Sequence, residues 1–141
     1  MDTKKGFGPA GWKFLFCIAA NYPVTIDSRN KHHLALQKHY CSFFEMLKFM
    51  LPCVYCRRSY AKFIKKIPIQ SYLGSRRDIM FWLYLIKDQV NKKLIRQEMK
   101  KSNSSFTTKP SPPFEKVCTY YEQFRAKCST KSQTCERPQL K

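Results

Sequence analysis

Apolar residues recur at helical spacing along most of the chain. Trp12, Phe16 and Ala20 stand at i, i+4 and i+8, with Leu15 and Ala19 beside them, and predict a first helix over 7–22 that Pro23 ends. Residues 24–30 are polar and turn-like. Tyr40, Phe43, Phe44, Leu47, Met50 and Leu51 form the stripe of a second helix over 31–50. Pro52 breaks that helix and suits the opening of the next. The third helix carries Cys53 and Cys56 in its first turn, and Cys56, Tyr60, Phe63, Ile64 and Ile67 share one face up to Pro68. A loop containing Gly74 spans 68–75. Ile79, Leu83, Ile86, Val90 and Leu94 predict a fourth helix over 76–99, with Asp78 in its first turn and Lys100 and Lys101 past its end, as the helix dipole favours. Residues 101–113 read as a Ser/Thr/Pro linker. Val117, Tyr121 and Phe124 face inward from a short fifth helix over 114–127. No alternating strand pattern and no internal repeat is present. The expected fold class is all-α, a four-helix bundle plus a short fifth helix, in one domain over 1–127 with a flexible polar tail over 128–141.

Charge narrows the choice of partners. The formal net charge is +18, which favours acidic partners such as nucleic acid, an anionic membrane or an acidic cofactor. No recognised nucleic-acid motif accompanies the charge, so dedicated nucleic-acid binding is not expected. The apolar stretch Phe14–Ala20 lacks a signal-peptide cleavage pattern, and the run Ile79–Ile86 is too short to span a bilayer. A soluble, cytoplasmic protein without signal peptide or membrane span is the expectation. The 7 cysteines of such a protein are not structural staples alone, and an odd number leaves at least one thiol free or paired with another chain. Cys17 and Cys41 fall inside helices and read as buried free thiols.

The densest chemistry lies in Cys53-Val54-Tyr55-Cys56. Two cysteines at this spacing close a small disulfide when they open a helix. The unsatisfied N–H groups and the macrodipole stabilise a thiolate there, so the first cysteine's pKa is expected to fall. Arg57 and Arg58 add positive charge at once. The same spacing holds half of a zinc site, which needs a second close pair. Cys118, Cys128 and Cys135 form none, and His32, His33 and His39 stand at no usual ligand spacing, so no metal is expected. A thioredoxin-like motif needs a βαβ context, and these flanks are helical. One alternative of a different class stays open: a non-enzymatic basic scaffold that binds nucleic acid and uses the cysteines for structural zinc.

Taken together, several segments resemble the Erv/ALR family of FAD-linked sulfhydryl oxidases, including the small members encoded by large DNA viruses. They are Gly8-Pro9-Ala10-Gly11-Trp12, Ala19-Ala20-Asn21-Tyr22-Pro23, Pro52 to Cys56, Trp82-Leu83 with Val90-Asn91-Lys92-Lys93-Leu94, and Phe114 to Tyr121. The resemblance implies an FAD-dependent oxidation of protein dithiols with O2 reduced to hydrogen peroxide, and a homodimer formed through the first helices. Cys53 would exchange with substrate and Cys56 would face the flavin. Trp12 would pack against the flavin, Asn91 would lie along the cofactor, Lys93 would meet its pyrophosphate and Tyr121 would close over the adenine end. Tyr60, one turn after Cys56, joins the cofactor-binding set. Two positions depart from the family's pattern, Phe16 where histidine is usual and Lys87-Asp88 where His-Asn is usual. Phe16 still stacks on a ring, and Lys87 still offers charge to phosphate. A shuttle pair on a flexible tail is common in the family, and Cys128 with Cys135 are the candidates here. A viral origin would set the protein in the host cytoplasm or the virion. Against all of this, Trp12, Phe16, Trp82 and Tyr121 are also what an ordinary helical core contains.

Overall fold

The structure, a computed structural model, describes residues 3–101, 107–129, 131 and 134–136. Among the described residues five α-helices carry the fold: α1 Thr3–Ala20, α2 Lys31–Met50, α3 Val54–Lys66, α4 Arg76–Met99 and α5 Phe114–Glu122. α1 starts before the expected position because a first turn needs no apolar face, only backbone that can coil. Asn30 caps α2 by accepting from the N–H groups of His32 and His33, and Ser75 caps α4 by accepting from that of Asp78. A 3₁₀ turn, Ile69–Tyr72, fills part of the loop between α3 and α4 and buries Ile69.

The chain packs as two helix pairs. α1 lies on α4, α2 lies on α3, α3 meets α4 between them, and α5 closes over α1 and α4. The core runs through Phe16, Ala19, Tyr22, Phe44, Ile79, Trp82, Leu83 and Ile86, all nearly sealed from solvent. Trp82 is a bundle residue: its Nε1 donates to Ile67 O at 2.8 Å and its ring meets Phe44 edge-on. Tyr22 OH donates to Leu73 O at 2.6 Å and Arg76 Nε donates to Tyr22 O at 2.6 Å. These bonds tie the α1–α2 connection to the start of α4. Burial pushes the Tyr22 phenol up to about 12.

Several expectations change. The stripe of α2 buries Phe44 and half-buries Tyr40, Leu47 and Leu51, but leaves Phe43 and Met50 exposed. Six apolar positions on one helix subtend a wider arc than a single facing helix covers. α5 ends at Glu122 rather than at 127, and residues 127–129 and 134–136 pair as an antiparallel hairpin, β1 with β2, that short polar strands did not betray. Ala126 N–H donates to Asn21 Oδ1 at 3.2 Å and roots this hairpin at the end of α1. The remainder of the expected tail, and 102–106 of the expected linker, lie outside the described residues. Residues 107–113 are strapped along α4: Thr107 and Thr108 donate to Glu98, Ser111 Oγ donates to Asp88 at 2.9 Å, and Tyr84 OH donates to Pro112 O at 2.7 Å. Cys17, Cys41 and Cys118 are free thiols, each partly rather than fully buried.

Candidate functional site

The turn between α2 and α3 positions the two cysteines. Pro52 ends α2's hydrogen bonding, and Arg57 folds back so that its Nη1 donates to Leu51 O at 2.5 Å. The guanidinium thereby satisfies a carbonyl that the end of α2 leaves open. Cys53 is the N-cap of α3, and its Sγ accepts from Cys56 N–H at 3.4 Å. Cys56 is the third residue of the helix, one turn before Tyr60. Tyr60 is buried and its OH donates to Phe44 O at 2.5 Å, which pins α3 to α2, and burial drives its phenol well above the usual range.

Cys56 stands in the wall of a cavity of about 170 Å³. Trp12 and Leu15 of α1, Tyr60 and Phe63 of α3, and Val90 and Leu94 of α4 make it largely apolar. Gly8 and Gly11 line the α1 side; a Cβ built on Gly8 meets nothing within 4 Å. Lys93 and Ser59 stand at the polar edge, with the lysine ammonium donating to the serine hydroxyl.

A second cavity, about 190 Å³, lies along α1 and α4 and is closed by α5. Phe16, Tyr84, Lys87, Ser111, Lys116 and Tyr121 are among its walls. Phe16 and Tyr121 stack at 4.9 Å between centroids and 15° between planes, and Phe16 is 6.4 Å from Trp12. An aromatic ladder therefore connects the two cavities. Burial pushes the Tyr121 phenol up to about 12. Lys87 is half-buried, and desolvation lowers its pKa. No described ion pair includes it.

Most of the expected residues meet here. Cys56, Trp12, Tyr60 and Lys93 share the first cavity; Phe16, Lys87 and Tyr121 share the second. Asn91 lines neither, and its Nδ2 instead donates to Ser111 Oγ at 3.0 Å. Cys128 is disulfide-bonded and stands opposite Cys135 in the hairpin register. The hairpin is rooted at Asn21, six residues or about 9 Å beyond Leu15, the last residue of α1 that lines the first cavity. Ser59, Tyr84, Ser111 and Lys116 were missed; no spacing rule singles out a lone serine or lysine on a helix or strap. Among the described residues no group of three His, Cys, Asp or Glu is placed to hold a metal ion.

Comparison with known proteins follows the same lines. Over 86 residues the chain is 31% identical to a probable FAD-linked sulfhydryl oxidase of Acanthamoeba polyphaga mimivirus, covering 60% of this chain and 56% of that protein. Over 92 residues it is 29% identical to the FAD-linked sulfhydryl oxidase ERV1 of Arabidopsis thaliana, covering 65% of this chain and 44% of the relative. The chain thus spans about half the length of these curated relatives. Its fold matches the crystal structure of the yeast Erv1 core at a TM-score of 0.58 and 22% identity, over 82% of this chain and 77% of that one. A double cysteine-to-serine mutant of Erv1 from Saccharomyces cerevisiae matches at 0.57 and 23%, over 84% and 80%. Residues 9–110, which include the cysteine pair and most of the first cavity's wall, match the Erv1 / Alr family, and the chain belongs to it.

Proposed function

We propose that the chain is an FAD-dependent sulfhydryl oxidase that converts protein dithiols to disulfides and reduces O2 to hydrogen peroxide. The carrying observation is Cys56 in the wall of an apolar cavity, with Cys53 capping the same helix three residues earlier. The curated relatives, named as FAD-linked sulfhydryl oxidases, support the reading.

The residues present fit a flavin dinucleotide. Trp12, Leu15, Tyr60, Val90 and Leu94 offer an apolar slot for a flat ring, and Gly8 leaves open space on its α1 side where a Cβ would meet nothing within 4 Å. Phe16 and Tyr121 offer aromatic faces at the other end, and Lys87, Lys93 and Lys116 offer charge to a pyrophosphate. Bound FAD supplies the two-electron chemistry between the dithiol and O2. The chain's own work is thiol exchange. A substrate thiolate attacks Cys53 Sγ, a bond forms between those sulfurs, the Cys53–Cys56 bond breaks and Cys56 leaves as thiolate. The substrate's second thiol gives its proton to solvent and displaces Cys53. Two electrons have then moved to the Cys53–Cys56 pair beside the slot.

The test is an assay on the purified chain. It should be yellow and consume O2 with dithiothreitol, and Cys56→Ser should remove at least 100-fold of that rate, on the order expected for a lost covalent relay. A colourless protein, or a Cys56→Ser variant that turns over normally, overturns the reading. Cys128 and Cys135 are proposed as the relay from large substrates, acting from a second copy or after the hairpin lifts. In the same assay Cys128→Ser should slow a protein dithiol and leave dithiothreitol oxidation unchanged. Among the described residues no helix is long and apolar enough to cross a membrane. The proposal extends to action in the host cytoplasm or the virion, in line with the mimivirus relative, and fractionation of infected cells tests it.

A further inference from the structure

The cysteine pair heads a helix that is cationic along one side. Val54 and Tyr55, between the two cysteines, are 41% and 65% exposed. Arg58 and Lys62 continue the same face four residues apart, Lys65 and Lys66 follow three and four residues after Lys62, and all are exposed. α3 contains no acid, and the chain contains no Asp or Glu between Glu45 and Asp78. Arg57 turns inward to Leu51 O, whereas no described ion pair includes Arg58, Lys62, Lys65 or Lys66. Like charges at this spacing destabilise one another. The fold keeps them on the helix that its reactive sulfur caps and brings no described counter-charge.

Resting on the assignment of Cys53 as the exchanging sulfur, we infer that this face docks the substrate protein, and that the substrate carries an apolar residue and then acidic residues beside its reactive cysteine. Charge complementarity selects the partner, and Val54 and Tyr55 give its apolar residue a seat. Arg58 lies about 8 Å along the helix from Cys53 and Lys66 about 20 Å, so an extended substrate segment reaches them about two to six residues from its cysteine. The covalent step is the exchange at Cys53 already described, with O2 as the final oxidant.

Three dithiol peptides of one length test this, with Glu, Gln or Lys at those positions, on the full flavin-loaded chain. The Glu peptide should exceed the Gln peptide in kcat/KM by about tenfold at low ionic strength, the Lys peptide should fall below both, and salt should erase the differences. The K62E/K65E/K66E variant should reverse the order and the K62Q/K65Q/K66Q variant should flatten it, each with dithiothreitol turnover unchanged. Equal rates for the three peptides, or a Glu preference that survives charge reversal, overturn the inference. Loss of peptide discrimination together with variant-sensitive binding of duplex DNA or anionic vesicles also overturns it, since the face then serves another ligand. Anisotropy of the labelled Glu peptide reads docking without turnover. A chain that binds this peptide selectively yet fails to oxidise dithiothreitol sinks the oxidase reading and leaves the docking surface standing.

Discussion

Tyr60 and Lys87 show how single side chains are committed at this site. Tyr60 faces the cavity with its ring and holds α2 with its hydroxyl, so one residue both shapes the slot and fixes the helix that carries Cys56. Tyr60→Phe keeps the ring and removes one buried hydrogen bond; a loss of about 1 kcal/mol in urea unfolding is expected, with the absorbance of bound flavin retained. Lys87 behaves differently. Desolvation lowers its pKa, and no described acid compensates. A group whose folded pKa lies below its unfolded value binds fewer protons when folded, so stability rises with pH between the two values, and the protonated group opposes folding below them. Lys87→Gln should therefore raise the melting temperature of the cofactor-free chain and weaken FAD retention on dialysis. Opposite signs in those two measurements separate an anion-binding lysine from a merely tolerated one.

The strap over α4 turns an expected linker into part of the site. Ser111 lines the second cavity and is held from both sides, by Asn91 and toward Asp88. The Asp88 carboxyl is raised by its burial and lowered further by hydrogen bonds from Lys92 and Ser111, so it ends below its ordinary value. Glu98 anchors the far end, and hydrogen bonds from Thr108 and Thr107 hold its carboxyl below the usual value. A depressed carboxylate contributes stability above its unfolded pKa and loses it as pH falls through the folded one. The strap should thus loosen on acidification. Amide order parameters of Thr107 and Thr108 should drop toward loop values, below about 0.6, as pH falls from neutral through the lowered pKa of Glu98. Glu98→Gln, which still accepts hydrogen bonds but does not titrate, should flatten that dependence.

The bundle leaves apolar surface uncovered on its first two helices. Phe14 on α1 and Phe43, Met46, Phe49 and Met50 on α2 are 63%, 37%, 51%, 64% and 69% exposed. Monomers seldom carry such side chains in groups, and a second copy is the proposed cover. Light scattering should give a dimer mass at micromolar concentration, and Met46→Glu should shift it to monomer by placing a charge in a face made of apolar residues. A monomeric parent chain would sink this assignment while leaving the cavity and its cysteine untouched.

The chain's own order of residues determined a good deal. The periodicity of α2 and α4 placed both helices at their observed bounds, since caps at Asn30 and Ser75 and breakers at Pro52 act within a few residues. That Cys53 and Cys56 stand at a helix start was legible for the same reason. What folding alone decided depends on distance along the chain. Cys56, Trp12 and Lys93 come from three helices, and their meeting is set by how those helices pack. The strap and the hairpin escaped because their bonds join residues such as Tyr84 to Pro112 and Asn21 to Ala126, across 28 and 105 positions. Local propensity is silent about contacts of that span. Which face of α2 meets water was likewise decided by the partner helices, because six apolar positions do not say which of them a neighbour will cover.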